Sequence, residues 1–168
     1  MIPPKRRMCL CRAVSAVGLA VAFLGPFAFA QKPSDNKATV LAANASFYVA
    51  LNAMLKGEIG PIEAVWSHAS DITYMGPTGK FEIGWNVVLK DWKGQAAQKL
   101  GGRVNPVDIH MFTGKDLAVV ADVEQGEIPD ADGKPQPLKL RATNIFRKED
   151  GQWKMIGHHT DTLPYLAK

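Results

Sequence analysis

The chain has 168 residues, 46% of them hydrophobic and 21% charged, proportions that exclude a disordered, collagenous or multi-span membrane protein. Its formal charge of +4 comes from 20 basic and 16 acidic residues, a balance that taken whole points toward anionic partners. The excess lies entirely in the first thirty residues, which hold Lys5, Arg6, Arg7 and Arg12 and no acid, so residues 31–168 are neutral and offer nucleic acid no basic stripe.

Those thirty residues have the three parts of a secretory signal. Lys5, Arg6 and Arg7 form the charged region, Ala13 to Gly25 the apolar run, and Ala28-Phe29-Ala30 a small-x-small cleavage pattern. Cleavage is expected between Ala30 and Gln31, which implies a periplasmic or secreted protein with no stable membrane association after cutting. A spanning helix needs about 20 apolar residues, and Ser15, Gly18, Gly25 and Pro26 interrupt this run. Both cysteines, Cys9 and Cys11, precede the apolar run. The remainder has no thiol for a disulfide, a metal or a nucleophile.

Residues 31–37 read as a polar linker. Leu41, Tyr48, Leu51 and Leu55 then recur at helical spacing, and Gly57 ends that helix. Pro61 suits a first helical turn, and Ile62, Val65 and Trp66 complete a short second helix. Residues 72–75 predict a short strand stopped by Gly76-Pro77. Trp85, Val88, Leu89, Trp92 and Ala96 mark a third amphipathic helix. After Gly101-Gly102 the chain turns strand-like over 104–112, 117–127, 138–147 and 152–161, with turns at Thr113 to Asp116, a long loop from Pro129 to Pro137, and Lys148 to Gly151. Three helices followed by four antiparallel strands predict an α+β domain, its helices covering one face of a curved antiparallel sheet.

The segments Phe47-Tyr48-Val49-Ala50-Leu51-Asn52-Ala53, Trp66-Ser67-His68 and Asp71 to Pro77, together with Arg141 to Ile156 and its closing Asp150-Gly151-Gln152-Trp153, resemble the SnoaL-like, ketosteroid-isomerase-like branch of the nuclear transport factor 2-like superfamily. The resemblance spans residues 38–163, with 164–168 as a tail. It implies a cone-shaped, cystatin-like roll with a pocket at its open end, in a homodimer. Such a scaffold carries isomerases, cyclases, dehydratases and binders alike, so function must be argued from the site.

Ketosteroid isomerisation needs a carboxylate base and two donors for the developing oxyanion. By the resemblance, the base position falls on Gly76, which has no side chain, while the donor positions fall on Asn144 and on Tyr48, or on Ala50 where the match is anchored on Gly57-Glu58. An amide and a phenol can hold a carbonyl without a base. A substitute base is His159 with Asp161, which share a strand face by parity with Trp153 and Met155. His68 reads as a helix C-terminal cap, and Asp108 and His110 as a solvated strand face. His158 points away from His159 by the same parity.

Tyr74, Trp92 and Trp66 are the aromatic candidates for the pocket wall. No phosphate loop, dinucleotide fingerprint or three-ligand metal pattern is present, so no cofactor and no metal are expected. The first expectation is an exported domain binding a small apolar or aromatic molecule. The alternatives are a cofactor-independent isomerase, cyclase or lyase using His159 with Asp161, Asn144 and Tyr48, and a non-catalytic structural dimer.

Overall fold

A computed structural model describes residues 36–76 and 78–161. The expected signal segment, most of the linker and the tail lie outside the described residues. Three helices, α1 (Asn36–Met54), α2 (Gly60–Val65) and α3 (Trp85–Gln98), pack against strands β1 (Thr73–Met75), β2 (Glu82–Ile83), β3 (Arg103–Thr113), β4 (Leu117–Pro129), β5 (Pro135–Glu149) and β6 (Gln152–Asp161). The order in the sheet is β2-β1-β6-β5-β4-β3. This is an α+β roll, as the helix and strand periods imply.

Two features of the sheet depart from expectation. It is mixed, because β1 runs parallel to β6, pairing Thr73 with Gly157 and Met75 with His159. It also gains the two-residue strand β2, antiparallel to β1. Neither strand is long enough for a periodic signal. The loop expected from Pro129 to Pro137 shrinks to a turn over 130–134, because β4 and β5 stay paired out to Pro129 and Pro135. Asp130 closes that turn by accepting from the amides of Asp132 and Lys134.

Local chemistry sets the element ends. Gly57 (φ 100°) follows α1, and Gly84 (φ 84°) precedes α3 where an added Cβ would lie 3.2 Å from the Ser70 carbonyl oxygen. Asp150 and Gly151 both take positive φ between paired Glu149 and Gln152, the two-residue turn that suits a twisted hairpin.

The inner stripe of α1 is Val40, Asn44, Phe47, Leu51 and Met54, at helical spacing. Leu41, expected on that face, is 39% exposed. The stripe was obscured because a polar residue, Asn44, holds one of its central places. From α3 the buried set is Trp85, Val88, Trp92 and Ala96. Together with inward residues of β4, β5 and β6 these form one apolar core.

Both long outer registers are broken once. In β3 the pairing slips between Val107 and His110, with Asp108 at φ 54°, so Ile109 is exposed rather than inward. In β6 the slip lies opposite Ile145 and Phe146: Phe146 pairs with Met155 and Ile145 with Gly157, leaving Ile156 as the extra residue. One inserted residue turns every later side chain to the other face.

Candidate functional site

The β6 bulge decides which histidine is inside. Trp153 and Met155 are buried before it, and His158 and Thr160 are buried after it. The expectation that His159 and Asp161 share the covered face is therefore corrected. Their side chains are 44% and 33% exposed, His159 Nε2 lies 3.9 Å from Asp161 Oδ2, and Asp161 accepts from Arg141 across the outer face. No His, Cys, Asp or Glu group among the described residues is arranged to hold a metal.

Inside, β4 turns Ala118, Val120, Asp122 and Glu124 toward the helices. Two carboxylates in this interior need partners, since burial without them costs several kcal/mol in order of magnitude. Asp122 has them. Its Oδ1 accepts from the Tyr48 hydroxyl at 2.7 Å and its Oδ2 from Asn44 Nδ2 at 3.2 Å. Burial pushes its carboxyl upward, and those two hydrogen bonds pull it back.

The chain of bonds continues from Asp122 with a defined direction. Because Asn44 donates to the carboxylate, its Oδ1 accepts from Asn144 Nδ2 at 2.8 Å. The Asn144 Oδ1 then faces His158 Nδ1 at 2.6 Å, so that nitrogen carries the proton. His158 consequently presents a lone pair on Nε2, which lies 3.8 Å from Glu124 Oε1, too long for a hydrogen bond. The imidazole is packed between Phe47 and Tyr74, at ring distances of 4.8 and 5.9 Å. Burial, and secondarily the neighbouring His159, pushes its pKa down to about 3, so it is neutral near pH 7.

Glu124 is the opposite case to Asp122. Its side chain is 4% exposed, and Oε1 has no hydrogen-bond partner among the described residues. Burial, and then the nearby Asp122 charge, pushes its pKa up to about 7, with a smaller opposing pull from Tyr48. Thr160 Oγ1 and Trp92 Nε1 are likewise buried and unpartnered.

These groups adjoin a cavity of about 130 Å³ lined by Glu124, His158, Thr160, Tyr74, Gln95 and Trp92 at its polar side. Apolar residues form the rest: Leu51, Met54 and Leu55 from the first helix and its end, Val104, Ile128, Leu138 and Leu140 from the sheet, and Leu100. Leu100, on this apolar wall, is itself 43% exposed.

Of the residues singled out by sequence, Tyr74 and Trp92 line the cavity. Trp66 does not; it is core, edge-on to Tyr74 at 6.3 Å. Tyr48 and Asn144 do come together, at 3.4 Å, but behind the cavity, their polar atoms engaged by Asp122, Asn44 and His158. At Gly76 an added side chain would collide with the Tyr74 ring, whose hydroxyl accepts from Gln95. Burial holds that phenol well above its usual range. His68 donates to the Glu63 carbonyl at 2.9 Å and stacks on Trp85, a local role at the end of α2.

Several inward polar residues escape the sequence reading, Asn44 and Thr160 among them, and three of them bear most on the site. Asp122 and Glu124 continue the alternation of Ala118 and Val120, so strand parity alone places them inside. His158 needed the bulge, whose one trace in the sequence is Gly157. A Cβ there would come within 3.2 Å of Ile145 Cδ1 and Thr73 Oγ1, and a glycine inside a strand marks such close approach.

A model of the SnoaL-like domain matches residues 40–163. Solved structures share the fold. A provisional dehydratase of the nuclear transport factor 2-like family from Streptomyces avermitilis superposes with a TM-score of 0.67 at 23% identity, covering 79% of this chain and 99% of that one. A provisional calcium/calmodulin-dependent protein kinase II association domain from Thiobacillus denitrificans gives 0.62 at 24%, covering 74% and 95%. An uncharacterised protein with a cystatin-like fold from Caulobacter vibrioides gives 0.62 at 15%, covering 78% and 92%. No curated protein matches the chain.

Proposed function

Because the chain belongs to the SnoaL-like domain family, and with its carboxylate of interest deep in an apolar cavity, we propose that it binds a small, mostly apolar molecule carrying one polar group. The observation that carries this reading is a 130 Å³ cavity whose lining residues include Glu124, Thr160 and Trp92, each of which also carries a buried polar atom without a partner. Each such atom costs about 1–3 kcal/mol while unsatisfied. A bound polar group would offset part of that cost. Cavities of about 150 Å³ accept a benzene-sized molecule, which sets the ligand at one ring or a short branched chain. Thermal-shift screening with single-ring fragments tests the reading: bound fragments should lose affinity when Leu138→Trp narrows the cavity, and a blank screen would favour a non-catalytic structural role.

A second reading is proton transfer. It is favoured by the fixed tautomer of His158, whose Nε2 lone pair lies beside a carboxyl that titrates near neutrality. A base held by a third group is the arrangement that general acid–base chemistry requires. In this reading the catalytic pair is His158 and Glu124, with Asn144 and Tyr48 as positioning residues. His158→Ala should then abolish turnover of a bound ligand while binding persists.

The domain is further proposed to act after export, cleaved before Gln31, and as a homodimer. The neighbouring association domains support assembly only by likeness of fold. N-terminal sequencing and light scattering of the purified protein check these two points.

A further inference from the structure

The polar side of the cavity is unusual in what it offers. His158 Nε2 is an acceptor, because the bond chain from Asp122 fixes the proton on Nδ1. Glu124 adds carboxylate oxygens, and Thr160 a hydroxyl that can also accept. No lysine or arginine is among the lining residues, and Glu124 has no cationic partner among the described residues. Two carboxylates, Asp122 and Glu124, thus sit two residues apart on one inward face, with only uncharged donors near them. Beside this acceptor group stand the rings of Trp92 and Tyr74, 4.7 Å apart, both on the wall. Their faces attract a cation.

We infer that the ligand is a small amine carried as its ammonium ion, with the charge set between Glu124, His158 Nε2 and Thr160 and the apolar body pointing toward Leu138 and Leu100. An ammonium has three N–H donors and no acceptor, which suits a wall that carries the Glu124 carboxyl, the His158 imidazole and the Thr160 hydroxyl. A neutral carbonyl or alcohol would leave the Glu124 oxygen without a charged partner. The 130 Å³ volume limits the body to one ring or a short chain. This inference rests on the small-molecule reading above and narrows it to one chemical class.

The test compares benzylamine with its neutral isostere benzyl alcohol by calorimetry and thermal shift on the purified chain. At pH 8 benzylamine should bind at least tenfold more tightly, and the preference should shrink at pH 6 as Glu124 takes up a proton. The other titratable groups facing Glu124 are Asp122 on β4, Tyr48 from α1, Tyr74 from β1 and His158 from β6; α3 contributes only neutral Trp92 and Gln95. Glu124→Gln should bring the two probes to parity. Should that variant not fold, the wild-type pH profile and Thr160→Val decide the matter, the latter weakening the amine more than the alcohol. Equal or tighter binding of the alcohol, or a preference that survives Glu124→Gln, overturns the amine assignment. So does a failure of both probes while other single-ring fragments bind, which leaves the broader reading standing. If nothing binds, both fall.

Discussion

Asp122 and Glu124 are two residues apart on β4, point the same way and are equally deep, yet they live in different chemistry. Asp122 is held by Tyr48 and Asn44 and begins a bond chain that runs through Asn144 to His158. Glu124 ends beside that chain, its Oε1 3.8 Å from His158 Nε2, and lines the cavity. The difference separates two uses of a buried carboxylate: one fixes the interior and orients a histidine, and the other is left available. The same strand therefore holds the structural and the functional end of the site.

The largest effect should come from breaking the satisfied end. Asp122→Ala strands the Tyr48 hydroxyl and the Asn44 amide in the core, and two bonds to a charged acceptor at about 1.5–3 kcal/mol each imply a loss of at least roughly 3 kcal/mol in urea denaturation. A loss below 1 kcal/mol would mean the chain of bonds has little structural weight.

The unsatisfied end should show itself in pH dependence. Glu124 has a folded-state pKa of about 7 against an ordinary 4.5, so its stabilising contribution is complete below about pH 4.5 and is lost as pH rises through 7. His158, at about 3 against 6.5, contributes fully above pH 6.5 and loses that contribution as pH falls toward 3. Between pH 4.5 and 6.5 the two slopes oppose each other, each about 1.4 kcal/mol per pH unit, so the pair contributes little net slope. Glu124→Gln should expose the histidine slope, with stability rising by roughly 3 kcal/mol across that window relative to wild type. His158→Asn should expose the reverse slope. Denaturation midpoints at pH 4.5, 5.5 and 6.5 would show both.

Smaller still is the effect of cutting the chain midway. Asn144→Leu should cost about 2 kcal/mol, by orphaning Asn44 Oδ1 and His158 Nδ1. It should also release the histidine tautomer, visible in the ring nitrogen shifts. Smallest is His159→Ala on the outer face, expected within about 0.5 kcal/mol of wild type and without effect on any ligand. A ligand effect there would return the site to the face that the unbulged register implies.

Much of this fold could be read from spacing. Trp85, Val88, Trp92 and Ala96 announce α3 at the residues where it forms, and Asp150-Gly151 announces the last hairpin. Those signals are local, with each residue's period set by its own element. The parallel pairing of β1 with β6 joins residues more than eighty positions apart and leaves no local trace. The candidate site was legible in part. Tyr74 and Trp92 are legible as wall aromatics, whereas Glu124 is not singled out even though the alternation of β4 would place it inward. The histidine was misplaced by one position because parity carried across Ile156, where the bulge resets it. Parity is dependable only between irregularities, and Gly157 was the residue at which to stop counting.

The central claim is that Glu124 is a cavity-facing carboxyl held apart from the bonded interior. Carbon-13 NMR of the side-chain carboxyls, titrated from pH 4 to 9, addresses it most directly. A Glu124 resonance with its midpoint near pH 7, moved by benzylamine while the Asp122 resonance stays fixed, is the predicted result. A midpoint near the ordinary 4.5, unmoved by any added ligand, would contradict the account.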